Sequence, residues 1–175
     1  MYGRRNDEIV QKLFGGGLTD GEVWRLSREK EEIFRARISK HLTEAAVTGV
    51  GEFLHSHRQY PAAVASNAEA ANIEFVLSEL EIRDCFQAVV SGCEVTLPKP
   101  SPEIYLLAAA KLGFAPEECL VFEDSLTGMT AARNAGMRVV GLSTTEADLP
   151  GAEVVVENSR SPRLNTFLAG VLAPR

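Results

Sequence analysis

The stretch Cys119–Gly128, CLVFEDSLTG, restricts the fold of this chain more than any other. Four largely apolar residues, Cys119 to Phe122, run directly into two carboxylates, Glu123 and Asp124, and then into Ser125 and a helical pattern, LTGMTAARNAGM. A continuous apolar run of this kind is expected to be a strand buried on both faces, as in a parallel sheet. Acids just past its end fall at the carboxyl edge of that sheet, where open α/β folds hold their ligands. Two adjacent acids there suit a divalent cation, because hard cations such as Mg²⁺ take oxygen ligands. The competing reading is that Asp124 or Ser125 caps the next helix.

The rest of the chain repeats the alternation. Pro61 introduces the short apolar run Ala62–Ser66, followed by a helix over Glu69–Leu80. FQAVVS, residues 86–91, reads as the next strand, and a loop rich in proline carries Lys99. Helix Glu103–Leu112 is stopped by Gly113; the strands RVVGL (138–142) and 152–156 and a last helix over 164–172 complete the pattern. Strands alternating with helices of about a dozen residues predict βαβ units and one parallel sheet with helices on both faces. The first forty-odd residues differ. Asp7–Phe14 and roughly Asp20–His41 have helical spacing, with Val23, Leu26, Ile33, Phe34 and Ile38 as the apolar face of the second helix. Thr19 with Glu22 three residues on is a capping-box signature. This helical pair is too small to bury a core alone. The expected organisation is a helical unit over residues 1–45 and an α/β core over residues 46–175.

Composition bounds the partners. The 175 residues are 45% hydrophobic and 24% charged, ordinary for a globular protein, with a net charge of −6. That charge disfavours nucleic acid, whose binding needs clustered positive charge. Apolar runs fall short of a bilayer span, so no membrane partner is expected. Cys85, Cys93 and Cys119 make no C-x-x-C pair, which fits free thiols in a reducing cytoplasm.

Three polar features fall at the same sheet edge. Ser66 ends one strand, Lys99 follows another on a segment stiffened by Pro98, Pro100 and Pro102, and Glu123 and Asp124 end the third. A phosphoryl group is served by such a set: Lys as a point charge, hydroxyl and backbone donors, and a cation on its oxygens. Taken singly, Ser66 reads as a helix cap and Lys99 as a solvated lysine. Their joint placement after separate strands favours function.

These segments resemble the haloacid dehalogenase-like hydrolases, in the branch of small phosphatases related to β-phosphoglucomutase. AVASNA is similar to that family's second motif, LPKPSPEIY to the third and LVFEDSLTGMTAARNAGM to the fourth. The resemblance implies an α/β Rossmann-like core with a helical cap, Mg²⁺ as cofactor and a small phosphorylated metabolite as substrate. It implies Ser66, Asn67 and Lys99 as phosphate contacts, Glu123 and Asp124 as metal-holding acids, and Lys99 and Asp124 as catalytic groups. By the same analogy Arg4, Arg5, Asn6 and Lys30 are substrate contacts from the cap.

One departure governs the functional expectation. The family's first motif, an apolar strand followed by D-x-D-G-[TV] that carries the nucleophilic Asp, has no counterpart here. Thr19-Asp20-Gly21 is a decoy, because Leu18 and three glycines precede it. A segment on the order of 40 residues is expected to be lacking. Its strand would lie between those ending at Ser66 and Asp124, so an unpaired edge on each and self-association through them are expected. The resemblance therefore implies a Mg²⁺-dependent phosphatase working through an aspartyl-phosphate, inactive as this chain stands. A sugar-phosphate mutase and a non-catalytic phosphate-binding protein are the alternatives.

Overall fold

The computed structural model describes residues 6–15 and 17–172. At the amino end, α1 (Asn6–Phe14) packs on α2 (Asp20–Ile38). The capping box is formed: Thr19 Oγ1 accepts from the Glu22 N–H at 3.4 Å, and the Glu22 carboxylate accepts from the Thr19 N–H at 2.8 Å. α2 stops at Ile38, short of the expected His41, and a separate single turn, α3 (Leu42–Ala45), follows.

The expected apolar face of α2 is only partly seated. Val23 is buried, whereas Ile33 and Phe34 are exposed. The reason is that α2 meets the core through polar groups. Arg35 Nη1 donates to Asn72 Oδ1 at 2.5 Å, the Asn72 amide donates to the buried Glu31 carboxylate, and the Lys30 ammonium pairs with Glu31. Asn6 Nδ2 adds a bond to Glu69 Oε1 at 2.8 Å. A joint made of hydrogen bonds fixes the orientation of two helices without requiring a continuous apolar stripe between them.

From α4 (Val50–Ser56) onward the chain alternates as expected. The order is β1 (Ala63–Ser66), α5 (Ala70–Glu79), β2 (Ala88–Ser91), α6 (Glu103–Leu112), β3 (Leu120–Glu123), α7 (Leu126–Asn134), β4 (Arg138–Leu142), β5 (Val154–Val156) and α8 (Pro162–Val171). All pairings are parallel. β1 lies on β2 with Ala63 opposite Ala88 and Ser66 opposite Ser91. β3 lies on β4 with Leu120 opposite Arg138, and β4 on β5 with Val140 opposite Val154. Because successive strand residues face opposite sides, Val139 joins Val121, Ile104, Ala108 and Met129 under α6 and α7, while Val140 joins Val156, Leu164 and Leu168 under α8. Ile73 and Leu77 of α5 cover Val64 and Val89 on the side away from α6. Helices therefore cover both faces, as the alternation implies.

The strands form two sheets, β1–β2 and β3–β4–β5. Among the described residues, β1 and β3 do not pair with each other. Between them runs a cleft of about 540 Å³, bordered by Ala63 and Ala65 of β1 and Leu120 and Phe122 of β3, with Ala108 of α6 and Phe53 of α4 among its walls. β1 and β3 point the same way. Lys99 ties their carboxyl ends together, through its backbone N–H to Asn67 Oδ1 at 3.3 Å and its ammonium to Glu123 Oε2 at 2.8 Å. Among the described residues no helix is long and apolar enough to cross a membrane.

Candidate active site

The site lies at the carboxyl edge of the strands, where the sequence places it. Its centre is Lys99. The loop that carries it is pinned at its start by Glu103, whose carboxylate accepts from the Thr96 and Leu97 N–H groups at 2.9 and 2.8 Å. The Lys99 ammonium donates to Tyr105 Oη and to Glu123 Oε2, each at 2.8 Å, and lies 4.5 Å from the centre of the Tyr105 ring. Both ends of the ion pair are buried, with side-chain exposures of 8% and 9%.

Glu123 is satisfied on both oxygens. Oε2 accepts from Lys99 and, at 2.5 Å, from Tyr105 Oη. Oε1 accepts from the Asp124 and Ser125 N–H groups, both at 3.1 Å, and from Ser125 Oγ at 2.9 Å. Burial pushes this carboxyl upward in pKa, but the Lys99 charge and the hydrogen bonds from Lys99, Tyr105 and Ser125 outweigh it and lower the value to about 2. The Tyr105 phenol is driven well above its ordinary range by burial and then by the neighbouring Glu123 charge, so it stays a donor. Ser125 serves a second purpose: its Oγ accepts from the Gly128 N–H at 3.1 Å and caps α7. The capping reading is thus correct for Ser125 and compatible with the site.

Asp124 is set differently. It is half-buried, and its Oδ2 accepts from Thr145 Oγ1 at 2.5 Å and Thr144 Oγ1 at 3.3 Å. Its Oδ1 has no hydrogen-bond donor among the described residues. Of the two adjacent acids, Glu123 is fully engaged by protein donors and Asp124 keeps one oxygen open for an external ligand.

The remaining residues expected from the sequence divide in two. Ser66, half-buried at the end of β1, accepts from the Ala68 N–H at 3.2 Å, and the buried Asn67 holds the Lys99 backbone; both sit at the site. Asn6 and Lys30 are engaged in the joint between the amino-terminal helices and α5, with Glu69 and Glu31 respectively. Arg4 and Arg5 lie outside the described residues.

Several site residues were not singled out from sequence. Tyr105 lies one turn into the helix after the proline loop, and Thr144 and Thr145 follow β4; the sheet-edge rule that places Asp124 also covers the threonines. Two glycines permit close approaches. A Cβ on Gly128 would lie 2.0 Å from the Glu123 carboxylate, and one on Gly92 would lie 2.5 Å from the Asn67 carbonyl oxygen. Elsewhere His55, Asp84 and Cys85 bring ligand atoms within 4.8 Å of one another. There the Arg58 guanidinium already pairs with Asp84 at 2.5 Å, so a cation is in place without a metal.

The family described as haloacid dehalogenase-like hydrolase matches residues 2–136. The chain is 36% identical over 132 residues to a fructose-1-phosphate phosphatase of Escherichia coli, a match spanning 75% of this chain and 69% of that protein. It is 31% identical over 164 residues to β-phosphoglucomutase of Bacillus subtilis, spanning 91% of this chain and 72% of the relative. In fold it is similar to the crystal structure of β-phosphoglucomutase from Clostridium difficile, with a TM-score of 0.83 and 22% identity, over 97% of this chain and 78% of the other.

Proposed function

The chain belongs to the haloacid dehalogenase-like hydrolases, and from that premise we propose that it carries the phosphate- and metal-binding part of a Mg²⁺-dependent phosphatase for small phosphorylated metabolites of the sugar-phosphate type. The observation that supports this most directly is Lys99: a buried ammonium fixed by Glu123 and Tyr105 and tied through its backbone to Asn67 at the end of β1. Phosphoryl transfer depends on positioning and on stabilising charge more than on covalent steps by the surroundings. A lysine whose rotamers are already restricted meets that need without further ordering.

The donors at the edge fit a hard cation. The open Oδ1 of Asp124 would hold Mg²⁺, with Thr144 and Thr145 orienting the carboxylate from behind. When bound, Mg²⁺ neutralises charge on phosphoryl oxygens. Glu123 acts through Lys99, keeping its ammonium aimed at the edge. The Ser66 hydroxyl and Lys99 contact the phosphoryl group, and Asn67 holds the loop. The α1–α2 helical unit, residues 1–45, forms the part of a cap that faces the substrate.

By this reading the 175-residue chain binds phosphate without turning it over, because the open oxygen of Asp124 is given to the cation and Glu123 is taken up by Lys99, Tyr105 and Ser125, which leaves no carboxylate to attack phosphorus. Phosphate release from a panel of sugar phosphates and a chromogenic ester, with Mg²⁺ present, should stay at background. Turnover that disappears in Asp124→Asn would refute this. Fusing an apolar strand with a D-x-D segment ahead of residue 1 should create activity, and Lys99→Ala in the fusion should nearly abolish it. If Lys99→Ala kept most of the rate, the phosphate contact is assigned to the wrong residue. Mg²⁺ binding by the chain alone should be much weaker than micromolar, since Mg²⁺ is usually held by one or two carboxylates together with substrate oxygens. The β-phosphoglucomutase relatives favour a second reading, a sugar-phosphate mutase, which the active fusion would reveal by isomerising its substrate instead of releasing phosphate.

A further inference from the structure

We propose that His55, Asp84 and Cys85 form a zinc site at the amino edge of the strands, one that clamps α4 to the turn before β2.

The three side chains come from two elements. His55 lies in α4, and Asp84 and Cys85 belong to the single turn Arg83–Cys85, just ahead of β2. Their ligand atoms lie within 4.8 Å of one another. Zinc holds sulfur at about 2.3 Å and imidazole nitrogen or carboxylate oxygen at about 2.1 Å, so tetrahedral ligands stand about 3.5 Å apart. The cluster must therefore close by about 1 Å to hold the ion. His55 and Asp84 are both exposed, which leaves room for the small rotations that this needs.

Three further observations support the site. First, His55 Nδ1 lies 2.7 Å from the Gly51 carbonyl oxygen. A carbonyl only accepts, so Nδ1 carries the proton and the neutral ring keeps its lone pair on Nε2. Imidazoles that bind metals are oriented by a bond of this kind. Second, Asp84 divides its oxygens: Oδ2 accepts from the Arg58 guanidinium, while Oδ1 faces the Cys85 thiol at 3.9 Å. The place already draws positive charge. The Arg58–Asp84 pair has side-chain exposures of 46% and 67%, and exposed pairs contribute little, so Arg58 does not bar an ion. Third, the backbone on both sides is anchored. Cys85 is buried with Ile73, Leu77 and Ile82, and Leu54 of α4 packs on the same group.

The donor set selects the ion. A thiolate with an imidazole suits zinc and disfavours Mg²⁺, which takes oxygen ligands. On binding, the Cys85 S–H bond gives its proton to solvent and the sulfur bonds the metal. Three protein ligands leave a fourth position for water. The cluster lies where β1 and β2 begin, whereas Ser66 and Glu123 lie where strands end, so this ion is separate from one held by Asp124. Its effect falls on α4, whose Phe53 walls the cleft.

The test uses the full chain, reduced and metal-free, with Co²⁺ and Zn²⁺ as probes. Turnover is not measured, so the result stands apart from the phosphatase reading. Bound Co²⁺ should give a near-ultraviolet thiolate-to-cobalt charge-transfer band that saturates. Zn²⁺ should displace the Co²⁺, and excess Mg²⁺ should not. Cys85→Ser should abolish the band, whereas Cys93→Ser and Cys119→Ser should keep it. His55→Ala and Asp84→Asn change exposed side chains and spare the apolar packing; each should weaken Co²⁺ at least tenfold, and Asp124→Asn should not. Zn²⁺ should raise the unfolding temperature of the wild-type chain but not that of His55→Ala. Absence of the band in the wild-type chain would overturn the proposal. So would a band that survives Cys85→Ser, or Co²⁺ affinities in His55→Ala and Asp84→Asn equal to wild type.

Discussion

Strand β3 borders two neighbourhoods whose polar groups are satisfied to opposite degrees. At its carboxyl end Glu123 accepts five hydrogen bonds, and among the described residues no buried side-chain polar atom lacks a partner. Along its other side, three residues earlier, its backbone faces an apolar cleft in which no strand pairs with it among the described residues. The donors to Glu123 all come from side chains and loop amides of residues 99–125, a short length of chain. The cleft needs a second backbone, which side chains cannot replace. A polar corner of this kind can thus be fully assembled beside a strand edge that is unpaired among the described residues.

Predictions that break or sharpen this contrast run from the corner outward. Lys99→Met should cost about 3 kcal/mol or more in urea unfolding, because it leaves the buried Glu123 charge without its partner. Lys111→Met, which removes the exposed pair with Glu94, should cost less than about 1 kcal/mol. Similar small losses for both would show that the corner is not tightly built. Gly128→Ala comes next, at about 2 kcal/mol, since its methyl group meets the Glu123 carboxylate; a neutral result would mean that Glu123 swings aside freely.

On the cleft side, the edge amides of β1 and β3 should exchange at least tenfold faster than those of β4, a gap of about 1.4 kcal/mol in local opening. Equal protection would show that the edges are covered in solution. Another effect concerns acid. The Glu123 carboxyl is held at about 2, below the ordinary 4.5, so its contribution is present above about pH 4.5 and is lost as the pH falls through 2. The stability difference between wild type and Glu123→Gln should therefore narrow between those pH values. A constant difference would show that Glu123 is not the group being protonated.

Much of the fold was legible beforehand because it is written in local patterns. Thr19 and Glu22 announce their own cap, Pro61 and Gly113 punctuate strand and helix, and the apolar runs at 86–91 and 119–122 identify buried parallel strands. The α2 surface departs from its local pattern for the same reason. Its apolar residues mark a face by period, yet Glu31, Arg35 and Asn72 make the contact with α5, and nothing near Glu31 in sequence reveals a partner 41 positions away.

The sequence by itself determined the alternation of strands and helices and therefore which residues end strands: Ser66 and Glu123, with Asn67 and Asp124 one step on and Lys99 in the loop after its strand. Periodicity and chain direction decide those placements, and both are properties of the local backbone. Tertiary structure alone decided what each group is free to do. It turned Glu123 onto Lys99 and Tyr105, set Thr144 and Thr145 behind Asp124, engaged Asn6 and Lys30 in the helical joint, and left β1 and β3 apart. Partnership across tens of residues depends on which surfaces pack together, and a strand edge is open or closed only in relation to another backbone.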